Sequence, residues 1–161
     1  MFGRHKKAML EAGAKAAAFR LKNLTGAAVS LEEILAKGPA LLAFFKISCP
    51  VCQLTFPYLE RLAGGVSLQI IGISQDDAPA TEVFNQRFGV TFPTLLDPKQ
   101  GYPASNAYGI TNVPTLFLVE PDGRISKAFA GFSKRDMEAM AQRAGVGMFR
   151  AGDNVPEWKA G

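Results

Sequence analysis

The sequence is poor in the residues that ligate metals and staple small folds. Two cysteines and one histidine stand among 161 residues. Two thiols make no disulfide framework and no four-thiolate zinc site, and a single His excludes a His-rich metal cluster. No apolar run approaches the roughly 20 residues that a membrane-spanning helix needs. A phosphate-cradling glycine loop is missing, since Gly64-Gly65 closes a helix and no Lys follows it. The composition of a disordered chain is missing as well. There are 12 Phe, and hydrophobic residues make up 48% against 20% charged. Such a length suits one domain with one sizeable core.

The net charge of +4 is unevenly spread. Residues 1–22 carry Arg4, Lys6, Lys7, Lys15, Arg20 and Lys22 against Glu11 alone, a net of +5, which leaves the remainder near neutral at −1. A basic head can attract nucleic acid or anionic lipid. Here it reads as a solvated leader or a helix exposing its lysines, and no nucleic-acid partner is expected. It also fails as a secretory signal, because Glu11 and Lys15 interrupt the only stretch that could serve as the apolar segment. A cytoplasmic location is therefore expected, with a periplasmic one if the chain was trimmed. Three parts follow: a head over 1–18, a domain over 19–146 and a loose tail over 147–161 that holds the only Trp, Trp158.

Along the domain, Phe19–Leu24 reads as a short strand closed by Thr25-Gly26. Ser30 and Glu33 form a capping box for a short helix through Ala36. Ala40–Lys46 is a continuous apolar run of buried-strand type. The stripe over Val51–Ala63 is helical. Ser67–Ser74 is a second buried strand, Ala80–Phe88 a helix entered through Asp76–Pro79, and Phe92–Asp97 a short strand. Ser105–Tyr108 is a short helix ending at Gly109. Thr115–Val119 and Arg124–Ala130 form a hairpin across Pro121-Asp122-Gly123. Ser133 caps a last helix with Met137, Met140, Ala141 and Ala144 on one face. Strands alternating with helices predict an α/β fold, a mixed central sheet with helices on both faces.

The chemistry sits at Cys49-Pro50-Val51-Cys52, where a buried strand turns into a helix. Unpaired N–H groups and the dipole of a helix N-terminus stabilise an anion, and a thiolate is one. CxxC thiols so placed fall from about 8.5 to roughly 3.5–7. Cys49 is the expected exposed nucleophile. Cys52, one turn into the helix, is the expected resolving thiol. Pro50 suits the first helical turn, where it has no donor to lose. A CxxC can also be half a zinc knuckle or two inert thiols. The first lacks its partner pair, and the strand–CxxC–helix setting favours redox chemistry over the second.

Several stretches resemble the thioredoxin fold, and more narrowly the AhpC/TSA and TlpA-like thiol–disulfide oxidoreductases. They are F-R-L-K-N-L-T-G (19–26), L-L-A-F-F-K-I-S-C-P-V-C (41–52), F-P-Y-L-E-R-L (56–62), I-I-G-I-S (70–74), F-G-V-T-F-P-T-L-L-D-P (88–98), A-Y-G-I-T-N-V-P-T-L-F-L-V-E-P-D-G (107–123) and Ala130-Gly131. The resemblance covers about Phe19 to Gly145. It implies a cis-proline at Pro114 facing the cysteines, with the backbone of Val113 pairing with a substrate peptide by strand addition. Pro50 and Val51 join these as expected substrate contacts. Three positions depart from the pattern. Ser48 stands where thioredoxins carry Trp, Ala43 where they carry a buried Asp, and Thr55 where TlpA-like reductases often carry Glu. No carboxylate is thus visible to take the proton of Cys52. Lys46, three residues before Cys49, is the candidate modulator of its thiolate.

A peroxiredoxin of the same superfamily needs Pro-x-x-x-Thr/Ser-x-x-Cys; counting back from Cys49 gives Lys46 and Leu42, and no Arg opens the 115–119 strand. Minor candidates have ordinary explanations. His5 is an isolated side chain in the head, Asp76-Asp77 are helix-start acids, and Met137, Met140 and Met148 are core filler. The sequence therefore reads as a thiol–disulfide oxidoreductase working through its Cys49–Cys52 disulfide, with no metal or organic cofactor. Its expected partners are a disulfide-bearing protein or small thiol and an upstream thiol reductant protein. An AhpC/TSA-type antioxidant peroxidase is the first alternative. A non-enzymatic module binding extended peptides is the second.

Overall fold

The stretch A-L-L-A-F-F at 40–45 has no polar residue to expose, so both of its faces must be covered. It forms strand β3 (Ala40–Phe45), at 0% exposure along its whole length. Alternation assigns its side chains to two separate cores. Leu41, Ala43 and Phe45 point into one, and Ala40, Leu42 and Phe44 into the other. The structure is a computed structural model and describes residues 8–161, so Arg4, His5, Lys6 and Lys7 of the basic head lie outside the described residues.

In chain order the remaining elements are β1 (Arg20–Asn23), β2 (Ala28–Ser30), α1 (Leu31–Leu35), α2 (Pro50–Leu62), β4 (Gln69–Ser74), α3 (Ala78–Phe88), β5 (Thr94–Leu96), α4 (Pro103–Tyr108), β6 (Thr115–Val119), β7 (Ile125–Ala130), β8 (Phe132–Ser133), α5 (Lys134–Ala144) and β9 (Trp158–Lys159). Seven strands form one mixed sheet in the order β2-β1-β5-β4-β3-β6-β7. Strand β3 is parallel to β4 and antiparallel to β6, with Ala43 opposite Gly72 on one side and Leu116 on the other. Helices α2, α3 and α5 cover one face through Phe56, Leu59, Phe84, Met137 and Met140. Helices α1 and α4 cover the other through Leu31, Ile34, Ala104 and Tyr108. This is the expected α/β architecture with helices on both faces.

Local chemistry explains the element ends. The Ser30 hydroxyl accepts the Glu33 N–H at 3.1 Å, and Ser133 does the same for Asp136 at 3.1 Å. Asp77 caps α3 through Ala80 N–H at 3.0 Å. Tyr102 gives α4 no side-chain cap; the buried carboxylate of Asp97 instead accepts Ala104 and Ser105 N–H at 2.9 and 2.8 Å. Helix α2 continues through Pro57 to Leu62.

Both flanks differ from expectation. Residues 8–18 are neither a solvated leader nor a helix. They lie against the sheet as irregular chain with a turn at 12–13, with Leu10 N–H bonded to Tyr108 O at 3.0 Å, Ala16 N–H to Gly123 O at 2.8 Å, and a bridge between Lys15 and Arg124. The Tyr108 hydroxyl donates to Ala17 O at 2.7 Å, and a Cβ on Gly109 would collide with Ala8 O. Leu10 and Ala16 pack on the sheet while Lys15 stays in water.

The tail is not loose either. Met148 is buried in the α2 core, and the ring of Phe149 lies 5.2 Å from that of Tyr58. The Arg61 guanidinium on α2 forms a two-pronged pair with Asp153 at 2.7 and 3.1 Å and also donates to Met148 O. Beyond that point β9 pairs antiparallel with β8. The two-residue strands β8 and β9 escaped sequence reading because their partners are distant, and the three-residue β2, although it pairs with neighbouring β1, because no periodicity develops over so short a run.

Two outcomes follow. Phe44 has no solvent exposure and lies between the rings of Tyr108 and Phe117 at 5.2 and 5.8 Å. Phe44→Ala should lower unfolding free energy by about 3–5 kcal/mol, read as a shifted urea midpoint. Arg61 holds the Asp153 carboxyl down to about 2, below the usual carboxylate range. A depressed carboxylate stabilises the fold above its unfolded value and loses that contribution as pH falls toward the folded one. Acid titration from about pH 5 to pH 2 should therefore weaken the tail's attachment, and Asp153→Asn should remove this component of the acid sensitivity in the same urea series.

Candidate active site

Because β3 ends at Phe45 and α2 begins at Pro50, the turn 46–49 delivers Cys49 to the helix N-cap position. Its sulfur accepts the Cys52 N–H at 3.1 Å, one of the donors that the first helical turn leaves unpaired. On its other side the Cys49 thiol donates to the Val113 carbonyl at 3.3 Å. The Val113–Pro114 peptide bond is cis, and Pro114 opens β6 beside the cysteines. Cys49 is partly exposed and Cys52 is buried; both are free thiols. Burial pushes the Cys52 thiol up, and the contact with the Cys49 side chain and the negative charge of Asp76 act in the same direction. A backbone hydrogen bond with Lys46 opposes them.

The residues expected from the sequence are brought together, with two corrections. Pro50 is exposed beside Cys49, but Val51 is 5% exposed and packs into the core with Cys52. A residue at the second helical position of a core-facing helix turns inward, so only Pro50 of that dipeptide presents a surface. Lys46 approaches the cysteines through its backbone: its carbonyl accepts the Cys49 N–H at 3.2 Å, and the residue is otherwise exposed. Ala43 and Thr55 are both fully buried, and the Thr55 hydroxyl is spent on Val51 O at 2.7 Å. Neither replaces the missing carboxylate.

Asp76 is the residue that sequence reasoning missed. Only Asp77 caps α3; the Asp76 carboxylate turns back across the sheet's end and accepts the Ile47 N–H at 2.9 Å. It thereby fixes the turn that carries Cys49, together with Gln53, whose side-chain amide donates to Ile47 O at 3.0 Å. The signal was the doubled Asp, since one cap needs one carboxylate. Among the described residues no group of three or more His, Cys, Asp or Glu is placed to hold a metal ion.

A dithiol at a helix N-terminus, one sulfur reachable and the other buried, faced by a cis-proline on the neighbouring strand, defines a thiol–disulfide oxidoreductase of thioredoxin fold. The AhpC/TSA family's profile matches residues 12–128, and the chain belongs to that family. It is 32% identical over 129 residues to the thiol-disulfide oxidoreductase ResA of Halalkalibacterium halodurans, covering 78% of this chain and 72% of that protein. Among solved structures it is similar to a candidate thiol:disulfide interchange protein DsbE of Chlorobium tepidum, at TM-score 0.73 and 26% identity over 83% of this chain and 95% of that one. It is also similar to the peroxidoxin BcpB of Mycobacterium tuberculosis, at TM-score 0.69 and 26% identity over 84% and 94%.

Because burial favours the neutral thiol of Cys52, its thiolate grows with pH, about tenfold per unit below the shifted value. Iodoacetamide should label Cys49 first in the native protein. In Cys49→Ser, labelling of Cys52 should be slow near pH 7 and rise steeply toward about pH 10, as read by mass. Fast, pH-independent labelling would contradict the burial.

Proposed function

We propose that Cys49 attacks and Cys52 resolves. The Cys49 thiolate attacks one sulfur of a substrate disulfide, that S–S bond breaks, and one substrate thiolate leaves and takes a proton. Cys52 then gives up its proton and attacks the Cys49 sulfur, closing the Cys49–Cys52 disulfide and releasing the second substrate thiolate. Two electrons pass from the dithiol to the substrate, and an upstream dithiol protein returns them. No metal or organic cofactor takes part. The observation that carries this reading is the Cys49 sulfur at the N-cap of α2, accepting the Cys52 N–H while Cys52 itself stays buried.

Val113 and Pro114 present backbone to an extended polypeptide, with Pro50 at the rim. The preferred substrate is a disulfide-bearing protein, reduced in a cytoplasmic setting. That setting requires a Cys49–Cys52 potential near or below about −250 mV, and a value near about −150 mV would move the protein to an oxidising compartment. No helix among the described residues is long and apolar enough to cross a membrane. The peroxidase alternative gains no residue from the structure: Lys46 stands three positions before Cys49, where a peroxidatic site needs a hydroxyl.

Cys52→Ser should trap a covalent mixed disulfide through Cys49 with a disulfide-bearing protein, visible as a reducible adduct on a non-reducing gel. Cys49→Ser should give none. A folded Cys52→Ser protein that captures no adduct sinks the assignment of roles.

A further inference from the structure

The surface beside Cys49 that would receive a polypeptide is already covered by the chain itself. After the Arg61–Asp153 pair, the tail reaches the start of α5 and strand β8. The Lys134 N–H, an unpaired donor at the start of α5, bonds to Glu157 O at 3.0 Å. Strand β9 then pairs with β8, Trp158 opposite Ser133 and Lys159 opposite Phe132. Gly131 lies so near that a Cβ there would collide with Lys159 O. The segment ends on the cis-proline turn: a Cβ on Gly161 would collide with Val113 O and would fall 3.1 Å from Pro114 Cδ. Val113 O is also the acceptor of the Cys49 thiol. Pro114 and Gly131 are accordingly buried, while Glu157–Gly161 lie exposed on top of them.

We propose that residues 157–161 occupy the strand position of a substrate polypeptide and act as a tethered competitor that an extended substrate must displace. The inference rests on the reading of Val113–Pro114 as the peptide-binding backbone. Strand β9 is held by β8, and Gly161 thereby fills the space against Val113 O and Pro114 that a substrate strand pairing with the Val113 backbone needs. Cys49 remains partly exposed between the exposed Ser48 and Pro50. Small disulfides therefore reach the sulfur without moving the tail, and the segment sets specificity by substrate size and shape. Residue identity fits the role. A residue without a Cβ permits the contact of Gly161 with Val113 O.

The test compares the full chain with one ending at Pro156 and with Gly161→Leu, whose side chain cannot fit against Val113. Binding is measured on Cys49→Ser/Cys52→Ser backgrounds, with a labelled Val/Thr-alternating peptide of about ten residues carrying a central Ser. Both changes should tighten peptide binding about tenfold, since the competent form is no longer the minor one. In the full chain, peptide binding should also change the emission of Trp158, the only Trp. Reduction of bis(2-hydroxyethyl) disulfide by the three dithiol forms should stay within about twofold, because that substrate does not use the edge. Equal peptide affinities in all three chains, or unchanged Trp158 emission at saturation, overturn the proposal. Loss of small-disulfide reduction in every form would instead remove the dithiol reading, while the peptide affinities would still decide whether the tail competes.

Discussion

The hydrogen bond from the Cys52 N–H to the Cys49 sulfur constrains the structure around it. It requires a helix to begin at Pro50, and therefore a strand to end within four residues of it. It also requires that strand to be rigid enough to hold a sulfur to within tenths of an ångström. Strand β3 meets the last demand by being buried on both faces and paired on both edges. Helix α2 meets the first by burying Cys52, Phe56, Leu59 and Leu62 against β3 and its neighbours. The Phe45, Phe56 and Phe84 rings, with centroids 4.2 to 5.5 Å apart, lock helix to strand just below the cysteines.

That placement also sets an asymmetry between two chemically identical groups. One sulfur is offered to solvent and to backbone donors; the other is three residues on, inside the core. Three residues advance nearly one turn, which keeps the two sulfurs on one side of the helix start, and the packing of α2 on the core buries the second. What the geometry leaves unsupplied is a proton acceptor for the buried thiol. Ala43 and Thr55, where the family resemblance leads one to expect a carboxylate, are both buried and carry none. The one carboxylate whose charge bears on Cys52, Asp76, is held by the Ile47 N–H and raises the thiol rather than relieving it.

The elements legible in the sequence were those whose cause is local. The apolar run 40–46, the capping pair Ser30–Glu33, the stripe from Cys52 to Ala63 and the Pro121-Asp122-Gly123 hairpin all declare themselves within a dozen residues. The candidate dithiol was legible for the same reason: Cys49, Pro50 and Cys52 are neighbours in sequence, at the junction of a strand and a helix. Val51 was misplaced because a dipeptide inside a motif invites one role for both residues, whereas a helix turns its second residue by 100° from the first. Asp76 was hidden because its hydrogen bond spans 29 residues. The flanks were misread because their ordering is entirely tertiary. Residues 8–18 and 148–161 have weak patterns of their own and gain structure only from the surfaces they meet, such as Tyr108 for the first and Arg61 and Tyr58 for the second.

The way the tail is held gives it a gradient of strength. Near its root, Met148 is buried, Phe149 packs against Tyr58 and Phe132, and Asp153 is fixed by Arg61. Toward its tip it has a two-residue ladder, one ion pair of 3.7 Å between Lys134 and the exposed Glu157, and a Trp that is 61% exposed. Surface ion pairs and short edge pairings contribute little, so the tip opens at far lower cost than the root. A strap built in the opposite order, loose at the root and tight at the tip, would block the site. One attached at the root and weak at the tip stays close to the edge it covers and yields it to a longer strand, which gains more backbone pairs than the five residues it displaces.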